Sequence, residues 1–231
     1  MTCGPRPWSA SVRHPDYKLL IFDWDGTLAD SIGRIVESMH VASERSGFVL
    51  RDDFAVKGII GLGLPEAIRT LYPEIGDGEL IAFRQHYADH YIASEAVPSP
   101  LFEGVVESMA SFRDDGYHLA VATGKARRGL DRVLKAHGWD EYFDITRAAD
   151  ETASKPHPLM LEQILAHCGV APEQALMVGD SSFDLQMARN AGMGSVAVSY
   201  GAQSIEALQA FEPRLSVDRF SELHAWLGQQ S

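Results

Sequence analysis

Long apolar runs are missing from this chain of 231 residues. The stretch 19–22 is typical of its uninterrupted apolar segments, whereas a membrane helix needs about 18 or more such residues, so no bilayer crossing is expected. Cysteine is scarce: Cys3 and Cys168 are the only two, and neither sits in a metal or redox spacing. A disulfide scaffold is thereby excluded, and a reducing cytoplasmic location is expected. Positive charge is also short, with 20 Lys and Arg against 32 Asp and Glu and a net charge of -12. Such a surface repels nucleic-acid backbones and anionic lipids, so neither is an expected partner. The one close cationic cluster, Lys125, Arg127 and Arg128, reads as a solvated face. The segment 1–18 lacks the hydrophobic region of a secretory signal, and residues 1–16 are expected to form a flexible tail.

What is present is an ordinary folded composition, 45% hydrophobic and 23% charged, in a length that suits one large domain or a core plus a smaller unit. Three short apolar runs, 19–22, 118–122 and 175–178, each end in residues able to do chemistry and then turn into a helical pattern. Further strands are expected at 143–146, 195–199 and 215–217. Strands alternating with helices indicate an α/β fold with a parallel sheet covered on both faces, in which functional groups gather at the carboxyl ends of the strands. The segment 31–99 breaks this rhythm. It shows helical periodicity over 32–47, 65–72 and 79–93 and no convincing strand, so it reads as an inserted all-helical unit, with 17–30 and 100–231 forming the core.

Chemistry is concentrated in four places. Asp23-Trp24-Asp25-Gly26-Thr27 follows the first strand, and period-two alternation puts Asp23 and Asp25 on one side, Trp24 on the other. Two carboxylates in one pocket repel unless a metal neutralises one or a raised pKa is put to acid/base use; the plain alternative is a surface Asp-Gly turn. Gly179-Asp180-Ser181-Ser182-Phe183-Asp184 follows a second strand and opens a helix that can bring Asp180 and Asp184 to one face. Oxygen-only ligands with room for water suit Mg2+, although acids at a helix start also suit the helix dipole without any metal. Thr123-Gly124 ends a third strand, and Lys155-Pro156 precedes another helix. A hydroxyl, a free N–H and an ammonium are what a phosphoryl group needs. Singly, either pair is common in turns.

The order of the four is more specific than any one. Asp23-x-Asp25-Gly26-Thr27, Thr123-Gly124, Lys155-Pro156 and Gly179-Asp180-x-x-x-Asp184 resemble the four motifs of the haloacid dehalogenase superfamily of phosphohydrolases, and the stretch 179–192 is similar to the phosphoglycolate phosphatase branch. The resemblance covers roughly residue 17 to the C-terminus. It implies a Rossmann-like three-layer core with the helical insertion as a cap domain. It also implies a Mg2+-dependent phosphatase of a small phosphorylated metabolite, phosphoglycolate-like or a sugar phosphate, acting as a monomer or weak homodimer. Asp23 would be the nucleophile, Asp25 the acid/base, and Thr123, Gly124 and Lys155 the phosphate binders. Asp23, the backbone carbonyl of Asp25, Asp180 and Asp184 would hold or orient the metal and its water.

Cap residues are the natural place for specificity, and Leu62, Gly63 and Arg69 are the candidates. The Gly61-Leu62-Gly63 run lacks the third glycine of a dinucleotide fingerprint and reads instead as a loop facing the site. His86 and His90, four apart, read as an ordinary helix face, and Trp24 as core. Two rivals share the chemistry: a sugar-phosphate mutase of the same fold, and a phospho-accepting signalling module, which is about half this length and has no insertion.

Overall fold

In the computed structural model the described residues are 16–228, so Cys3 and all of the expected tail except residue 16 lie outside them. Six parallel strands form one sheet in the order β3-β2-β1-β4-β5-β6, with β1 Leu19–Phe22, β2 His118–Thr123, β3 Ile145–Ala148, β4 Ala175–Gly179, β5 Gly194–Val198 and β6 Leu215–Val217. Five of these lie within a residue of the sequence reading; β3 starts two residues later than 143. Phe143 instead packs beside Trp139 and Tyr142 in the loop that leads into the strand.

The alternation of side chains along each strand builds two apolar layers. On one face Leu20, Phe22, Val121 and Val178 meet helices α5 (Val105–Asp114), α6 (Arg127–Ala136) and α10 (Ser221–Gly228). Phe22 lies 6.1 Å from Phe112 and 5.8 Å from Phe220, and Trp24 is buried edge-on to Trp139 at 6.1 Å. On the other face Leu19, Ile21, Ala120 and Met177 meet α7 (Leu159–Cys168) and α8 (Ser182–Asn190). Removing one such buried aromatic side chain typically costs about 3–5 kcal/mol, so these layers fix the sheet that carries the site.

Residues 32–93 hold four helices, α1 (Ile32–Arg45), α2 (Asp53–Lys57), α3 (Leu64–Leu71) and α4 (Asp77–Ala93), around a core of their own that includes Met39, Ile68 and Phe83. The sequence periodicity marks α1, α3 and α4 but not α2, whose five residues are too few for a periodic signal. Its start is set locally by Asp52, whose carboxylate accepts the Ala55 N–H at 2.8 Å. The chain enters and leaves this unit side by side: Asp30 N–H donates to Pro100 O at 2.8 Å and Phe102 N–H to Leu28 O at 3.0 Å. No helix among the described residues is long and apolar enough to cross a membrane.

Candidate active site

Strand order reverses at β1, whose neighbours β2 and β4 continue the chain in opposite directions across the sheet. Crevices at the carboxyl ends of strands open at such points. Asp23 follows β1, Thr123 ends β2 and Asp180 follows β4, so the first, second and fourth motifs converge because the sheet makes them neighbours.

Asp23 continues the ladder, its N–H donating to Val178 O at 3.0 Å, and the residue is 1% exposed. Gly26 then turns the chain at φ 81, a conformation that favours glycine; a Cβ here would stand 2.1 Å from Asp180 Oδ2. The missing side chain is thus what admits Asp180 to the pocket. Asp180 accepts from Thr27 Oγ1 at 3.0 Å and from the Ala202 N–H at 2.7 Å.

Lys155 is fully buried and its Nζ donates to Asp23 Oδ1 at 2.8 Å and to Asp184 Oδ1 at 2.6 Å. Asp184 also accepts from Ser181 Oγ at 2.6 Å and from the Ser181 N–H at 3.2 Å. The residue therefore caps its helix with one oxygen and meets the lysine with the other, so its place at the helix start does not keep it out of the crevice. One carboxylate oxygen each from Asp23, Asp180 and Asp184 lies within 4.8 Å of the others. Burial pushes the Asp23 carboxyl up to about 7 against the pull of Lys155, with Asp184 and Asp25 adding repulsion. Burial likewise raises Asp180 well above the usual carboxylate range, helped by Asp23 and Asp184. Burial opposes the charge of Lys155, yet Asp184 and Asp23 hold its pKa above the ordinary lysine value.

Asp25 sits in a second, adjoining cluster. It accepts from Ser31 Oγ at 2.6 Å, and Lys125 Nζ stands 2.9 Å from the same Oδ1. Lys125 also donates to Tyr91 Oη of α4 at 3.1 Å. The solvated-face expectation is therefore wrong for Lys125, whose side chain is 11% exposed, while Arg128 is exposed and Arg127 forms surface pairs with Asp131 and Glu151. A lysine two residues past a strand-end threonine was the signal available in sequence; reading three cations as one group concealed it.

The helical unit closes the crevice. Asp23, Asp25 and Gly124 share a cavity of about 270 Å3 with Leu62, Leu64 and Tyr91. Gly124 lies against the loop ahead of α3: a Cβ there would stand 2.5 Å from Leu62 O and 2.6 Å from Gly61 O. Gly63 N–H donates to Ser154 Oγ at 2.9 Å, beside Lys155. Of the three cap candidates, Leu62 lines the cavity and Gly63 docks next to it. Arg69 does neither; it lies on α3, half exposed, paired with Asp77 at 2.6 Å, because its place five residues after Leu64 sets it about 140° round the helix, toward solvent. His90 is hydrogen-bonded to Ser38 Oγ at 3.0 Å on a helix face, and among the described residues no histidine joins a metal-ligand group.

Do these residues fit a metal? The donors are oxygens only, and four buried carboxylates, Asp23, Asp25, Asp180 and Asp184, face two ammoniums, Lys125 and Lys155. The two surplus negative charges match a hard divalent cation, which oxygen ligands prefer.

The haloacid dehalogenase-like hydrolase family model matches residues 20–198. The protein named Probable phosphatase IndB from Dickeya dadantii (strain 3937) is 37% identical over 210 residues, covering 89% of this chain and 91% of its own. A phosphoglycolate phosphatase from Vibrio vulnificus (strain YJ016) is 30% identical over 216 residues, 90% of this chain and 95% of its own. Among solved structures, a haloacid dehalogenase-like hydrolase from Bacteroides fragilis superposes with a TM-score of 0.83 at 27% identity, covering 90% of this chain and 99% of that one.

Proposed function

We propose that this chain, a phosphatase that belongs to the haloacid dehalogenase-like hydrolase family, is a Mg2+-dependent phosphomonoesterase working through an aspartyl phosphate on Asp23. The observation that carries the reading is the buried junction of Asp23, Lys155 and Asp184 beside a cavity that Asp23 and Asp25 line.

Mg2+ would be held by Asp23, Asp180 and Asp184 with the backbone carbonyl of Asp25, and would supply charge to the phosphoryl oxygens. The rest falls to the chain. An Asp23 oxygen attacks phosphorus and forms the new P–O bond, while the bond to the leaving oxygen breaks and Asp25 gives that oxygen a proton. Asp25, now ionised, takes a proton from a water that attacks the aspartyl phosphate; inorganic phosphate leaves and Asp23 is restored. One group acting as acid and then base is the economy expected of a general catalyst. Thr123, the Gly124 N–H and Lys155 bind phosphoryl oxygens, and Lys155 offsets the repulsion between Asp23 and an anionic ester.

The insertion acts as a cap over 31–99, with the paired crossings at 28–30 and 100–102 as its root and the loop 61–64 as its contact with the site. Closure of such a unit excludes water and positions the ester. A mutase must also seat a second phosphate, and the apolar wall that the insertion presents to the cavity disfavours that alternative. The test is to quench a single turnover in acid and locate the phosphoryl adduct by mass spectrometry. Label on the peptide containing Asp23 is expected; label elsewhere, or none while phosphate is released, would overturn the aspartyl-phosphate route.

A further inference from the structure

The cavity beside Asp23 has walls of two characters. The core side contributes Asp23, Asp25, Lys125, Arg128 and Arg132. Every residue the insertion contributes is apolar or aromatic, among them Met39, Ile60, Leu62, Leu64, Tyr87 and Tyr91. Tyr87 and Tyr91 stack at 5.8 Å with 24° between their planes. The cations on the core side are mostly committed. Lys125 is bound by Asp25 and the Tyr91 hydroxyl, and Arg132 is bound by Glu95. Arg128 is exposed at the rim.

We infer that the alcohol released from the phosphate ester carries an aromatic ring or an apolar group of similar size, seated between the tyrosine pair and Leu62, and that a short carboxylate such as that of phosphoglycolate is a poor occupant. This rests on the phosphomonoesterase reading above. The chemistry is a matter of which group meets which wall. A carboxylate turned toward the insertion would lose water and find no cation among its side chains, only the neutral hydroxyls of Tyr87 and Tyr91, and desolvating an unpaired charge is costly. An aromatic ring against the same wall removes apolar surface from water and can stack on tyrosine. Space is adequate: a cavity of about 150 Å3 is enough to bind benzene, and this one measures about 270 Å3 with the phosphoryl group still to be seated. Even one methylene in a hydrophobic pocket discriminates between substrates by at least about tenfold.

The experiment compares the full chain, with Mg2+ present, on ethyl phosphate, butyl phosphate, 2-phenylethyl phosphate and phosphoglycolate. All four release unactivated alkyl oxygens, so differences report binding rather than leaving-group reactivity. The expected result is a kcat/KM for 2-phenylethyl phosphate at least about tenfold above those for ethyl phosphate and phosphoglycolate, with butyl phosphate between. A flat series, or phosphoglycolate equal to or better than 2-phenylethyl phosphate, overturns the inference. Two variants locate the effect: Leu62→Asp in the half-buried loop and Ile92→Asp on the exposed edge of the wall, each checked for folding by its melting temperature. The ratio of 2-phenylethyl to ethyl phosphate is expected to fall at least about threefold in both; an unchanged ratio in folded variants overturns the assignment to this wall. Hydrolysis of p-nitrophenyl phosphate serves as the control. If that activated ester is also untouched, the phosphomonoesterase reading itself has failed, and the inference with it.

Discussion

Lys125 Nζ lies 2.9 Å from Asp25 Oδ1, and the pair is shielded to the point that each side chain is 11% exposed. Burial works against the lysine's charge, but Asp25, Tyr91 and Tyr87 raise its pKa above the ordinary value. The ammonium therefore stays charged and holds the Asp25 carboxyl in place. It also ties Asp25 to Tyr91 of α4, so the insertion and the proposed acid/base share one cation.

Replacing Lys125 by Met leaves the Asp25 carboxylate with Ser31 as its remaining hydrogen-bond partner among those described above. The carboxyl is then held less firmly beside the reacting ester, so kcat is expected to fall at least about tenfold in Lys125→Met and by much less in Lys125→Arg, which keeps the charge. Breaking a buried pair from one side also costs about 3–5 kcal/mol, which a melting curve detects. Wild-type kcat in a folded Lys125→Met protein would show that Lys125 has no hold on the placement of Asp25.

Asp23→Asn removes the carboxylate oxygen proposed to attack, with almost no change in shape. A loss of at least about 1,000-fold in kcat, roughly 4 kcal/mol of barrier, is expected on any ester. Stability should move the other way in the metal-free protein, because one of several mutually repelling buried carboxylates is gone while Lys155 keeps Asp184. Scanning calorimetry in chelator checks this. A variant both inactive and strongly destabilised would mean that Asp23 matters chiefly for folding.

Metal dependence follows from the same charge surplus. Excess chelator should silence the enzyme, and Mg2+ should restore it better than Ca2+, whose looser and higher coordination suits an octahedral site less well. Saturation at about 100 times Kd stabilises by about 2.7 kcal/mol, or roughly 5–10 °C in melting temperature for a chain of this size. That shift should disappear in Asp180→Asn. Full activity in chelator would sink the metal site.

The strands and the chemical residues were legible in sequence for one reason: apolar runs that end in Asp, Thr or Gly-Asp mark both the sheet and its active edge, and a parallel sheet leaves few places for those ends to go. Lys155 was legible only through motif order, since nothing local shows that its ammonium is shared by Asp23 and Asp184, residues 132 and 29 positions away. Arg69 and Lys125 mark the limit. Arg69 is on a helix of eight residues, where one position turns a side chain by about 100° between cavity and solvent. Lys125 was hidden because burial of a lysine is decided by Asp25 and Tyr91, which are remote in sequence. The apolar character of the cavity was legible only in part: Leu62 stands among the cap candidates, but nothing in sequence marks residues 39 and 91 as facing a cavity rather than the core of the insertion.

The contact between the insertion and Gly124 gives the last prediction. A Cβ at Gly124 would stand within 2.6 Å of two backbone carbonyl oxygens, those of Gly61 and Leu62, and backbone atoms cannot swing aside as a long side chain can. The strain is not in Gly124 itself, whose φ lies outside the left-handed region. Gly124→Ala should therefore fold normally and keep the Gly124 N–H, yet hold the loop 61–64 off its seat. With the loop displaced, water enters and the ester is less well placed, and a misplacement of about 1 Å can cost on the order of 100-fold. We expect kcat/KM to fall at least about tenfold in Gly124→Ala and further in Gly124→Val. The Mg2+-induced rise in melting temperature should be kept, because Asp23, Asp180 and Asp184 are untouched. Wild-type kinetics in Gly124→Ala would mean that the loop does not rest on Gly124 during turnover, and the closed cap would lose its main point of contact with the strand end.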